Sequence, residues 1–213
     1  IDGNLIGTDR SGILARSNAI GMVVSNAATD IRVGLRAPNT LRFNTLGLLV
    51  GSASSGVNVY ANHIADSGGI GIDLSALSAT GDGVTANDFN DADSGGNSLQ
   101  NFPVLSASGR VAGGVHVSGT LDVASLFPST YTIAIYASAN CDSSGNGEGA
   151  RYLGARAFSL NSPGGESFDF DLATTAALPV GTQLTATATD DSGNTSEFSE
   201  CASVVLLRDG FEG

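Results

Sequence analysis

The chain has 213 residues, a formal net charge of −12, 41% apolar residues, 29 glycines and no tryptophan, and its nine basic residues are all arginine. That apolar share supports a buried core and excludes wholesale disorder. The acidic balance excludes nucleic acid and anionic membrane surfaces as natural partners, and no stretch approaches the ~20 apolar residues of a membrane-spanning helix. Only 14% of residues are charged, and small, turn-forming residues abound, a composition suited to many short strands joined by tight turns rather than to helices.

Residues 1 to about 80 consist of short apolar steps broken by Gly and Asn. Gly21-Met22-Val23-Val24, Gly47-Leu48-Leu49-Val50 and Gly71-Ile72-Asp73-Leu74 repeat one word at offsets of 26 and 24 residues. Asn18-Ala19-Ile20 and Asn44-Thr45-Leu46 precede the first two, Asn62-His63-Ile64 repeats them with an insertion at 65–69, and Asn4-Leu5-Ile6-Gly7 starts a further copy. Ile31-Arg32-Val33, Leu41-Arg42-Phe43 and Val57-Asn58-Val59-Tyr60 read as secondary strands between them. A period in the twenties with short strands in each repeat predicts a solenoid, each coil stacking on the next with Arg, Asn and Thr outward. Apolar positions do not recur at three and four, which excludes helices.

Residues 81–103 form an Asp/Asn/Gly-rich connector. Its Asp82, Asp88, Asn90, Asp91 and Asp93 supply the hard oxygen ligands that calcium takes, although no register gives an EF-hand and a solvated linker accounts for the same residues. From 104 to 207 the period becomes two: Val115/Val117, Tyr131/Ile133/Ile135, Phe168/Phe170/Leu172 and Leu184/Ala186/Ala188 alternate with polar or small residues, and Tyr152–Leu160 and Ser196–Leu207 add strands. Six or seven strands with one apolar face each predict a two-sheet antiparallel sandwich. Cys141 and Cys201 are too few for a zinc site; they are either two unrelated buried thiols or a disulfide, which the export-type composition favours.

Catalytic signals are sparse. Asp66 and Asp73 fall in the last coils, Arg32 and Arg42 are expected to stack outward on neighbouring strands, and Asp142 and Glu148 suit an exposed hairpin tip better than a cation site. Asp190, Asp191 and Asn194 read as turn residues, and His63 and His116 as isolated. No nucleophile elbow or zinc-protease motif is present.

The order of these motifs carries a resemblance. Asn4-Leu5-Ile6-Gly7-Thr8-Asp9-Arg10-Ser11-Gly12, Asn18-x-x-Gly21, and Ile64 to Leu74, followed by an Asp-rich stretch and Asn101-Phe102-Pro103, resemble bacterial right-handed parallel β-helix repeat proteins, whose architecture is similar to the pectate-lyase-like superfamily. Thr187 to Ser199 resembles the last hairpin of bacterial immunoglobulin-like domains, and Arg208 to Gly213 resembles Asp-Gly-Phe-Glu endings on exported proteins. The resemblance implies an all-β chain: C-terminal coils of a parallel β-helix over 1–80, a connector over 81–103, an immunoglobulin-like β-sandwich over 104–207 and a tail over 208–213. It makes Cys141 and Cys201 partners, tying the loop after a central strand to the final strand. It also implies a secreted or cell-surface location, coils upstream in a longer precursor, and a non-catalytic structural and binding role toward extracellular glycans or cell surfaces, with the sandwich as a cap. Calcium is an optional cofactor. The alternative is the accessory end of a polysaccharide lyase or glycoside hydrolase whose catalytic residues lie outside this chain.

Overall fold

In the computed structural model, which describes residues 1–123, 129–161 and 165–206, the protein is all-β. The Asp-Gly-Phe-Glu tail lies outside the described residues.

The first half contains eight short strands in three parallel stacks. β1 (Leu5–Ile6), β4 (Thr40–Arg42) and β7 (His63–Ala65) form one; β2 (Ile20–Val24), β5 (Leu46–Val50) and β8 (Ile72–Leu74) another; β3 (Arg32–Val33) and β6 (Asn58–Val59) the third. The register Met22↔Leu48↔Ile72 places the repeated word in line. Glycine heads that word for a steric reason: a Cβ on Gly47 would lie 2.3 Å from the Gly71 carbonyl oxygen, and one on Gly21 2.5 Å from that of Gly47.

Two asparagine ladders run up the corners, and they redraw the repeat. Asn4 Nδ2 donates to Asn39 Oδ1 at 2.8 Å and Asn39 Nδ2 to Asn62 Oδ1 at 2.9 Å, while Asn18 Nδ2 donates to Asn44 Oδ1 at 2.9 Å. Asn62 therefore belongs with Asn4 and Asn39, not with Asn18 and Asn44: the Asn-x-apolar step occurs at two separate ladders. Arg32 and Arg42 likewise separate, on β3 and β4 of different stacks.

The second half holds two four-stranded sheets. One orders β13 (Glu166–Ala173), β10 (Gly114–Leu121), β9 (Val104–Val111) and β16 (Val205–Leu206); the other orders β12 (Arg151–Leu160), β11 (Ser129–Ser138), β14 (Gln183–Thr189) and β15 (Ala202–Ser203). Between them lies a core including Val115, Val117, Ile133, Ile135, Phe168 and Leu184. The expected strand over Ser196–Leu207 is instead broken. Ser196 and Ser199 bond to β14 through backbone and hydroxyl together, and the chain then changes sheets, β15 pairing with β14 and β16, in parallel, with β9. Fully buried Val204 occupies the crossing.

β11 departs from simple alternation because both its faces are buried. Tyr131, Ile133 and Ile135 face the inter-sheet core, whereas Ala134 and Tyr136 join Phe198 in a second core with Leu41, Leu48, Val50, Val59, Ile64 and Leu74 of the parallel stacks. Tyr60, Tyr152, Tyr136 and Phe198 form a chain of tilted and edge-on ring contacts at centroid distances of 5.2–5.4 Å across this junction.

The last strand of every stack is satisfied from beyond residue 96. Val57 N–H donates to Asn97 Oδ1 at 3.0 Å and Asn97 Nδ2 returns a bond to the Val57 carbonyl at 2.8 Å, so one side-chain amide replaces the missing backbone neighbour. Val59 N–H donates to Thr195 Oγ1, Ile64 N–H to the Gly149 carbonyl, and Leu74 N–H to Glu197 Oε1. The C-terminal end of the 81–103 segment is accordingly buried, with Asn97 at 0% exposure in a left-handed turn over Gly96–Leu99.

Asn97→Ala strands the Val57 N–H and the Thr195 carbonyl that Asn97 Nδ2 also reaches at 2.9 Å, while the Val57 carbonyl keeps the Thr195 N–H at 3.3 Å. At about 1–3 kcal/mol for each buried group left unpaired, the loss should total about 3 kcal/mol once relaxation is allowed. Urea denaturation of the variant beside the parent checks this; a loss below about 1 kcal/mol contradicts it.

Candidate functional site

A groove of about 660 Å3 lies where the outer face of β4 and β7 meets the 138–150 segment of the second half. One wall comes from an excursion between β1 and β2. There Asp9 Oδ1 accepts bonds from Ser11 N–H, Ser11 Oγ, Ile13 N–H and Leu14 N–H, fixing a turn that brings Ser11 and Gly12 to the rim.

Arg42 organises the floor. Its guanidinium donates through Nε (2.8 Å) and Nη2 to Asp66 Oδ2 and through Nη1 to the Gly12 carbonyl (2.9 Å), while the Phe43 ring lies 4.6 Å beneath it. All its charge-assisted bonds serve to fix the groove's shape. Glu148 is not at an exposed hairpin tip, as its sequence context suggested, but 8% exposed, with Oε1 accepting the Ser67 N–H at 2.9 Å. Burial, partly offset by that bond, raises its carboxyl above the ordinary range. Asp142 caps the turn after Cys141 by accepting bonds from Ser144 and leaves Oδ2 buried without a partner. His63 Nδ1 lies 3.2 Å from the Ala150 carbonyl, which sets Nδ1 as the protonated nitrogen and leaves Nε2 as an acceptor. The groove thus offers carboxylates, an imidazole acceptor, hydroxyls and amides, with Arg42 neutralised by Asp66. That array suits hydroxyl- and amine-bearing ligands and is poor for anions.

The Cys141–Cys201 disulfide closes behind the rim, with Cα atoms 6.2 Å apart across 60 residues of sequence. It fastens the groove loop to the segment that bridges the two sheets.

Of the expected calcium ligands, the structure gathers three. One oxygen from each of Asp88, Asp91 and Asp93 lies within 4.8 Å of the others. Asn90 Oδ1 and Asp122 Oδ1 are buried and unpartnered, and burial with the neighbouring carboxylates of Asp93, Asp88 and Asp122 pushes Asp91 up to about 7. Asp82 stands outside this group: it accepts the Ala76 N–H at 3.3 Å and faces Asp73. His116 is not isolated either, its Nδ1 lying 2.9 Å from Asp171 on β13. Asn194 does more than turn the chain, accepting the Gly56 N–H at 2.6 Å.

Sequence reading missed the groove because its parts come from 5–12, 40–67 and 138–150, segments with no shared motif. The Asn-x-apolar steps at 39 and 62 were the available signal, since the residues one and three positions on, Thr40 and Arg42 and likewise His63 and Ala65, line its floor.

Comparison with protein-family models, curated proteins and solved structures finds no match.

Removing the disulfide by Cys141→Ser should cost about 4 kcal/mol in the chain-entropy picture for a loop of this length. Denaturation under non-reducing conditions measures it, with alkylation and intact mass confirming the parent's bond. Free thiols in parent protein from an oxidising compartment, or an unchanged midpoint, contradict the assignment.

Proposed function

We propose that this chain is a non-catalytic structural and binding segment of an exported bacterial surface protein: parallel β-helix coils capped by an immunoglobulin-like β-sandwich, with the junction groove as the contact point for an extracellular glycan. The observation that carries the capping role is the pairing of Val57, Val59, Ile64 and Leu74 with acceptors from Asn97, Thr195, Gly149 and Glu197. An uncovered coil end would present open strand edges and apolar core to other chains, so a stack that ends this way can stand at a cell surface without self-association. The disulfide and the acidic charge suit that environment.

The glycan assignment rests on chemistry. Sugars are bound by planar networks of carboxylate, amide and imidazole groups held rigid before the ligand arrives, because pre-ordering lowers the entropic cost of binding. Arg42, Asp66 and Glu148 are ordered in this way by contacts among β4, β7 and the 138–150 segment. A calcium ion held by Asp88, Asp91 and Asp93 belongs to the same reading: it would neutralise three crowded carboxylates beside the first strand of the sandwich.

Screening the chain on a glycan array and titrating the best ligand tests the groove. Arg42→Ala and Glu148→Gln should each weaken binding at least tenfold with the fold intact by circular dichroism, and no polysaccharide should be cleaved. Undiminished binding in both variants removes the groove from the account, and cleavage by this chain removes the non-catalytic reading. For calcium, millimolar ion should raise the thermal midpoint and chelator should reverse it, with Asp91→Asn abolishing the response; no shift in the parent rules the site out.

A further inference from the structure

Three carboxyl side chains meet where the last hairpin of the second half lies on β8. Glu197 is 2% exposed, and its Oε1 and Oε2 accept the N–H groups of Leu74 on β8 (2.9 Å) and Thr85 in the following segment (3.0 Å). Asp73, also 2% exposed, points away from the apolar core that holds Ile72 and Leu74; its Oδ2 accepts the Gly83 N–H at 3.1 Å, while Oδ1 is buried and has no partner. The Asp82 side chain reaches it from the 76–85 segment. The charged groups facing Glu197 are Asp73 and Asp82, and the small cavity beside it is lined by Ile70, Ile72, Val84, Asn146 and Phe198, with no arginine.

Two buried acids, Asp73 and Glu197, beside the exposed Asp82 and with no basic side chain among them, cannot both be ionised at low cost. A cation would need three carboxylate oxygens drawn close together, and among the described residues only Asp88, Asp91 and Asp93 meet that condition. A proton needs only one pair in reach. An acid hydrogen on Asp73 removes the charge from its unpartnered oxygen and gives it a donor beside the Asp82 side chain.

We propose that the buried carboxyls of Asp73 and Glu197, with Asp82 beside them, form a proton-filled latch that holds the last hairpin on the parallel stacks while the two are protonated and loosens that junction when they ionise. Each ionisation releases one proton to solvent and leaves a negative charge facing two other acids. The two backbone donors favour the charged form of Glu197, but burial and its acidic neighbours outweigh them, pushing it up to about 8; burial, with Asp82 beside it, pushes Asp73 up to about 6. Both folded values exceed the unfolded ones. The unfolded chain therefore loses these protons first as pH rises, and the stabilisation, full below about pH 4, is lost through pH 6 for Asp73 and pH 8 for Glu197. Asp91 adds loss in the same window, so the difference between parent and variants is the quantity to read. The latch goes beyond the glycan reading and survives its failure, since it needs only the contact between the two halves.

Thermal midpoints of the full, disulfide-bonded chain, measured from pH 5 to pH 9, test it. The parent's midpoint should fall from pH 5 to about pH 8 and level off above it. Asp73→Asn, whose amide can donate to Asp82, should flatten the fall below about pH 6, and Glu197→Gln the fall that continues to about pH 8. On the parent alone, carboxyl 13C NMR should show Glu197 titrating near pH 8. Hydrogen exchange at Leu74 and Thr85, corrected for intrinsic base catalysis, should rise at least tenfold from pH 6 to 8.5. A Glu197 carboxyl that titrates in the ordinary range, or equal pH slopes in parent and both variants, overturns the latch. So does a calcium-induced rise in the midpoint at pH 8 that disappears in Asp73→Asn, which would put a cation where the protons are assigned.

Discussion

Everything in this molecule depends on what is done with the unpaired edge of the last strands in three parallel stacks. A parallel stack leaves each N–H and carbonyl on its outer edge waiting for a further strand, and buried backbone groups without partners cost about 1–3 kcal/mol apiece. Here that strand is replaced by single atoms from elsewhere: an asparagine amide, a threonine hydroxyl, one backbone carbonyl and a glutamate. Because these partners come from three separate segments, the second half must arrive in one orientation. The inter-sheet core, the aromatic seam and the groove all follow from that placement.

The same constraint explains why the central sheet is buried on both faces. Polar or small residues on the alternate positions of β11 and β14 would face water in an isolated sandwich. In this chain Ala134 and Tyr136 fill the apolar mouth of the stack, and Thr185 and Thr187 are 1% exposed. Tyr136 meets Phe198 at 5.2 Å and Tyr152 at 5.4 Å, and Tyr152 extends the seam through its hydroxyl to Tyr60. Hydrophobic burial and hydrogen bonding thus act across one surface, which couples the stability of the two halves.

Charge is distributed with the same economy. Arg42 has its partner in the groove, whereas the acids at the β8 junction and at Asp88, Asp91 and Asp93 have only one another and backbone N–H groups. Protons or hard cations are the compensating species available in each case, and geometry separates the two: three oxygens converge at 88–93, and a carboxyl pair with a flanking glutamate forms at 73, 82 and 197.

The sequence by itself determined that the protein is all-β, where its grammar changes near residue 100 and which Gly-apolar words stack, because each of these depends on local periodicity or on the composition of the whole chain; it favoured a Cys141–Cys201 disulfide over two separate thiols, and the structure forms that bond. It placed Asn62 at the wrong corner, since an Asn-x-apolar step looks alike at both corners and only the ladder bonds to Asn39 distinguish them. It set Glu148 at an exposed tip and split the expected calcium ligands no further, because hairpin tips and acidic loops look polar whether or not another element covers them. The burial of Glu148, the separation of Asp82 from Asp88, the side-chain partners of the last strands in the parallel stacks and the groove itself were decided by tertiary structure alone. Each requires atoms tens of residues apart to share a few ångströms, and that closeness comes from how the two halves dock, which no run of neighbouring residues encodes.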